Sequence, residues 1–132
     1  GLARRVVTLG SPHHGTTVAE LAIALAPDEC PPACRQLVPG SDLLRELNAG
    51  DETPDGPAFI SIWTAVDEVV TPPDSAALDG ALNLVVQDIC STSSVQHGAL
   101  PTDPVVSNIV TLQLGAAPPQ DLSTEDCQRL SS

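Results

Sequence analysis

The sequence predicts an α/β fold built on a parallel sheet, and three observations carry that expectation. Short apolar runs at Val6 to Leu9, Phe59 to Val66 and Leu82 to Ile89 have the length and character of buried strands. Stretches with helical starts and stops separate and follow them. Strands alternating with helices make a sheet of successive right-handed crossovers.

Taken in order, Val6-Val7-Thr8-Leu9 is β-branched and ends at Gly10, as a buried strand does. Gly10 to Thr16, Gly-Ser-Pro-His-His-Gly-Thr, is a tight turn region. Thr17 and Glu20 have the T-x-x-E spacing of a capping box, starting a helix through Leu21 and Leu25 that Pro27 ends. Asp28 to Pro39, with its prolines and two cysteines, reads as a stapled loop. Ser41 caps a helix through Leu43, Leu44 and Leu47 that stops at Gly50. Asp51 to Pro57 is turn chemistry. After the second strand Pro72 and Pro73 break the chain, and Asp74 is placed as the cap of one helical turn ending at Gly80. Asp103 followed by Pro104 is a helix start, with Asp as N-cap and Pro in the first turn. The β-branched run after it suits a strand on propensity; the cap decides for helix. Gly115 onward is a Pro/Ser-rich tail held by Cys127. The expected organisation is one domain over residues 1–114 and a disulfide-tethered tail over 115–132.

Composition narrows the classes of function. Seventeen acids stand against five arginines and no lysine, for a formal charge of −12. Five scattered arginines build no basic patch, which argues against nucleic acid or an anionic membrane surface as partner. No apolar stretch approaches the roughly 18 residues of a spanning helix; Leu21 to Ala26 stops at Pro27. Phe59 and Trp63 are the only large rings, so the core is aliphatic. Nothing in the sequence calls for a cofactor.

Cys30, Cys34, Cys90 and Cys127 match no zinc spacing. Paired disulfides fit better and imply export to an oxidising compartment. Of the three possible pairings, Cys30–Cys34 with Cys90–Cys127 is favoured. The chain opens directly into a strand, without an initiator methionine or leader, and a sheet starting there would leave an apolar edge. More sheet is therefore expected upstream, and the stretch by itself is expected to be aggregation-prone.

Asp67 follows the second apolar run directly, and His97 lies in the loop after the third. An acid that orients a histidine, and a histidine that relays a proton, are two members of a nucleophile–histidine–acid triad. Their order, Asp before His, matches Ser…Asp…His. Glu68 is the adjacent rival for the acid. An isolated Asp is usually a turn residue and a lone loop His a solvated one; position after buried strands distinguishes these two. His13 and His14 are adjacent, point apart and read as structural. Ser11 is followed by proline and is no nucleophile elbow. Asp103 suits a helix cap better than a calcium ligand. No G-x-S-x-G turn occurs in the 132 residues.

Val6 to Thr16, Val-Val-Thr-Leu-Gly-Ser-Pro-His-His-Gly-Thr, resembles the strand and turn after the nucleophile segment in bacterial class 2 triacylglycerol lipases. Thr64 to Pro72 resembles their acid loop, and Val95 to Leu100 their histidine loop; the resemblance runs from Val6 to Leu114. It implies the C-terminal half of an α/β-hydrolase, with ester hydrolysis through an acyl-enzyme. Asp67 takes the place of the acid and His97 that of the base. The nucleophilic serine and the oxyanion hole belong to family segments that are not in this stretch, so by itself it is expected to be inert. The Asp28 to Pro39 loop is absent from the smallest members.

The expectation is therefore a secreted lipase or carboxylesterase, monomeric when complete, acting on small or lipid esters. An acyltransferase or thioesterase on the same fold is the enzymatic rival, because the triad does not choose the acceptor. A non-catalytic secreted module with a hydrolase shape is the other.

Overall fold

The computed structural model describes residues 2–132. Three strands, β1 (Arg5–Leu9), β2 (Ala58–Trp63) and β3 (Leu82–Val85), form a parallel sheet in that order. Helices α1 (Thr17–Leu25), α2 (Pro32–Gln36) and α3 (Asp42–Leu47) connect β1 to β2. One helical turn, α4 (Val86–Ile89), continues β3, and α5 (Pro104–Gln113) and α6 (Cys127–Leu130) follow.

Register explains where the core lies. Val7, Ile60 and Leu82 stand in one row, and Leu9, Ile62 and Leu84 in another two residues on. Alternation puts both rows on one face of the sheet. Val106 and Ile109 of α5, both fully buried, close over that face together with Val86, Ile89 and Leu100. The opposite face carries a polar row, Thr8, Ser61 and Asn83. Each member has partners within the protein. Thr8 donates to Ser61 Oγ at 3.1 Å, Ser61 donates to the Ala76 carbonyl at 2.6 Å, and Asn83 brackets the Leu78 backbone. Ser61 is fully buried, and leaving its hydroxyl unpaired would cost about 1–3 kcal/mol, so its bond to Ala76 helps hold the segment after β2 against the sheet.

Helix ends follow their capping residues. Ser41 accepts from the Leu44 amide and Asp103 from the Val106 amide, with Pro104 in the first turn of α5. The start of α1 lies one residue earlier than the capping-box reading put it. Thr16 has the extended backbone of an N-cap and accepts from the Val18 amide. Thr17 is already helical, and its hydroxyl is bonded to Thr71 at 2.7 Å.

Two further expectations are corrected. The apolar run 82–89 is a strand only to Val85, because β2 pairs it no further than Trp63. Beyond that point Gln87 reaches across to the Ala65 amide and the Thr64 hydroxyl, and the chain coils into α4 with Val86 and Ile89 still inward. Asp74 makes no capping bond and lies within the short 3₁₀ turn Pro73–Ala76; Pro72 occupies the cap position, and Pro73 in the first turn has no N–H to satisfy. β2 ends at Trp63, three residues before the expected Val66.

The tail is more firmly seated than a single tether implies. Leu130 is buried in the core, Asn108 donates to its carbonyl, and the Gln113 side chain exchanges two hydrogen bonds with the Gln120 backbone. Arg5 donates to the carbonyls of Gln113 and Ala117. The sulfur atoms of Cys90 and Cys127 lie 2.00 Å apart, and those of Cys30 and Cys34 2.09 Å apart.

Candidate active site

The loops leaving the carboxyl ends of β2 and β3 meet, and the two residues singled out in them touch. After Trp63 the chain turns at Thr64, and Asp67 donates its amide to the Thr64 carbonyl. Its carboxylate then faces inward, with a side chain only 1% exposed. One oxygen, Oδ1, accepts from the amides of Val69 at 2.9 Å and Val70 at 2.8 Å. The other, Oδ2, lies 2.9 Å from Nδ1 of His97. A carboxylate held by two amides can only accept, so Nδ1 of His97 carries the proton and Nε2 is left as the basic nitrogen.

His97 opens a 3₁₀ turn, His97–Ala99, between two buried residues, Val95 and Leu100. These act as pegs on either side, and the ring stays 29% exposed. Thr64, fully buried, donates to the Val95 carbonyl at 2.7 Å and receives the Gln87 amide at 2.9 Å. One hydroxyl thus joins the acid loop to the histidine loop. Glu68 meets only the backbone of His97, through a long 3.5 Å contact to its amide.

The loop after β1 braces the acid loop from the other side. Thr16 donates to the Val69 carbonyl at 2.7 Å and accepts from the Thr71 amide at 3.0 Å. Thr17 donates its amide to the Thr71 carbonyl, and Ser75 donates to the Gly15 carbonyl. Thr16, Thr64 and Thr71 lie in the stretches that carry the family resemblance, yet the sequence assigns no role to them or to Gln87. Their roles depend on partners 23 to 55 residues away, and only their polarity beside buried strand ends hints at it.

His13 and His14 lie apart from the Asp67–His97 pair in bonding. His13 Nε2 is 3.0 Å from the Thr8 hydroxyl. Because Thr8 donates onward to Ser61, and Ser61 to Ala76, the His13 nitrogen is the donor and carries the proton. Burial holds His13 below the ordinary imidazole range, and the neighbouring His14 adds to this. His14 Nε2 pairs with Glu52 at 2.8 Å. Burial works to raise Glu52, but the Asp79 amide and the His14 ring outweigh it and hold this carboxyl below its usual value. Asp103 is engaged as the cap of α5. Ser11 offers its carbonyl to the His13 amide within the turn. Among the described residues no group of three or more His, Cys, Asp or Glu is disposed to hold a metal ion, and no helix is long and apolar enough to cross a membrane.

Three parallel strands flanked by helices make an α/β fold, and a buried acid is hydrogen-bonded to a histidine beyond the strand ends. The family model described as Lipase (class 2) matches residues 2–109, and the chain belongs to that family. It is thus a lipase-type hydrolase by family. No curated protein sequence matches it.

Proposed function

We propose that this chain supplies the acid and the general base of a secreted serine ester hydrolase, a lipase or carboxylesterase whose nucleophile lies outside these 132 residues. The observation that carries the reading is the orientation of His97. Asp67, pinned by the Val69 and Val70 amides, engages Nδ1 and leaves Nε2 free.

In that arrangement Nε2 takes the proton of a serine hydroxyl as its oxygen attacks the ester carbonyl. The imidazolium that forms is stabilised by Asp67. It then gives its proton to the leaving alcohol as the tetrahedral intermediate collapses to an acyl-enzyme. Water, deprotonated by the same nitrogen, releases the acid and restores the serine. The two disulfides support an oxidising location. The family supports an ester substrate.

His97→Ala, made in the enzyme that includes the nucleophile segment, tests this. Turnover of a p-nitrophenyl ester should fall by three or more orders of magnitude, as loss of a triad base does. A fall of less than tenfold would rule out His97 as the base. Competing an alcohol against water as acceptor distinguishes hydrolysis from acyl transfer; the acid should be the dominant product in dilute alcohol.

A further inference from the structure

We propose that Gly10 is a positioning residue for the Asp67–His97 pair, its missing side chain being the space in which that hydrogen bond forms. Gly10 follows β1 directly, has φ +53°, and donates its amide to the Ile62 carbonyl at 2.8 Å. This bond holds the backbone there to the end of β2. A Cβ at this position would lie 2.9 Å from Leu100 Cδ1, 3.1 Å from His97 Nδ1 and 3.2 Å from Asp67 Oδ2. It would press on both ends of the one hydrogen bond that orients the ring.

Burial decides which neighbour gives way. Leu100 is 1% exposed and packed in the core. Asp67 is equally enclosed and tied by two amides. The His97 ring, with solvent on one side, is the part that moves. The constraint goes beyond the left-handed backbone alone. Gly40 has a comparable φ of +73°, yet a Cβ on it would meet nothing within 4 Å. Gly10→Ala and Gly40→Ala therefore share the backbone cost of roughly 1 kcal/mol and differ in the contact.

The geometric claim stands on the fold; its catalytic consequence rests on the ester-hydrolase reading. The test is ¹H and ¹⁵N NMR of the histidine rings in the enzyme that includes the nucleophile segment, as wild type and as the Gly10→Ala and Gly40→Ala variants. Wild type and Gly40→Ala should show a low-field Nδ1 proton on His97 and a single ring tautomer. In Gly10→Ala that proton should be lost and both tautomers populated, while the Val69 and Val70 amides stay protected because Asp67 has not moved. An unchanged His97 signal in Gly10→Ala would overturn the inference. Should Gly10→Ala not fold, Gly10→Ala/Leu100→Val removes the nearest obstructing atom and leaves the other two. The signal should still be absent, and its return would show that Leu100 alone needs the glycine. In the enzyme with its nucleophile, Gly10→Ala should lower kcat by up to about 100-fold with little change in KM, as a small misplacement of a catalytic group does. Loss of the signal with unchanged ester turnover would leave the positioning role intact and remove the catalytic reading of the pair.

Discussion

Two histidine–carboxylate pairs of nearly equal length occupy this molecule, His97 with Asp67 at 2.9 Å and His14 with Glu52 at 2.8 Å. Distance does not separate them; surroundings do. Asp67 has a 1% exposed side chain, and both its oxygens are engaged within the loop pair beyond the strand ends. Glu52 and His14 are more open, at 13% and 43%, and join surface loops. The engaged nitrogen also differs. Asp67 takes Nδ1 and leaves the outer Nε2 unengaged, whereas Glu52 takes Nε2 and leaves the nitrogen nearest the backbone. A pair becomes useful for proton transfer when the acid is fixed and the free nitrogen points away from the chain that carries it.

The largest expected effect that sets the pairs apart is on turnover. Asp67→Asn keeps the size of the side chain but presents an amide donor to Nδ1, favouring the wrong tautomer. Ester turnover in the enzyme with its nucleophile should drop on the order of 10⁴-fold. Glu52→Gln should leave turnover within about twofold and change stability by less than about 1 kcal/mol, as an exposed pair does. Equal losses in both variants would erase the distinction.

The disulfides extend the same contrast to stability. Cys90–Cys127 closes 37 residues and ties the loop leading to His97 to the tail, while Cys30–Cys34 closes only 4. Loop-closure entropy gives about 4 kcal/mol for the first and about 2 kcal/mol for the second. Replacing each pair by serines and measuring denaturant midpoints should show the larger loss for Cys90→Ser/Cys127→Ser. A larger loss at Cys30 and Cys34 would show that the surface loop, not the tail, anchors the fold.

The smallest effect is pH-dependent. His13 titrates below its ordinary value of 6.5 in the fold, so the unfolded chain binds the proton more readily. Its contribution to stability is complete above 6.5 and is lost as pH falls toward the folded value. Glu52, lowered from 4.5, contributes above that pH and loses its share below it. His13→Gln should therefore flatten the fall in melting temperature just below pH 6.5 and leave the more acidic limb. A fall of unchanged steepness would place its origin elsewhere.

Much of the frame was legible because it rests on local chemistry. The three apolar runs, the Ser41 and Asp103 caps and the proline stops all act over a few residues, and the structure has strands and helices where they lie. Asp67 and His97 stood out by following buried runs. What escaped notice acts across the fold. The end of β3 is set by where β2 stops pairing it, not by its own apolar residues. Thr16 rather than Thr17 caps α1, and both hydroxyls are tied to Thr71, far along the chain. Thr64 and Gln87 bind the two site loops through partners that no spacing rule connects. Gly10 reads as a strand terminator until the atoms opposite it are known.

The most direct measurement of the central claim is a double-mutant cycle on ester turnover, with Asp67→Ala, His97→Ala and the two combined in the enzyme with its nucleophile. If Asp67 acts by orienting His97, the two work as one unit, and the combined variant should be no slower than His97→Ala alone. Independent losses that multiply in the combined variant would contradict the account.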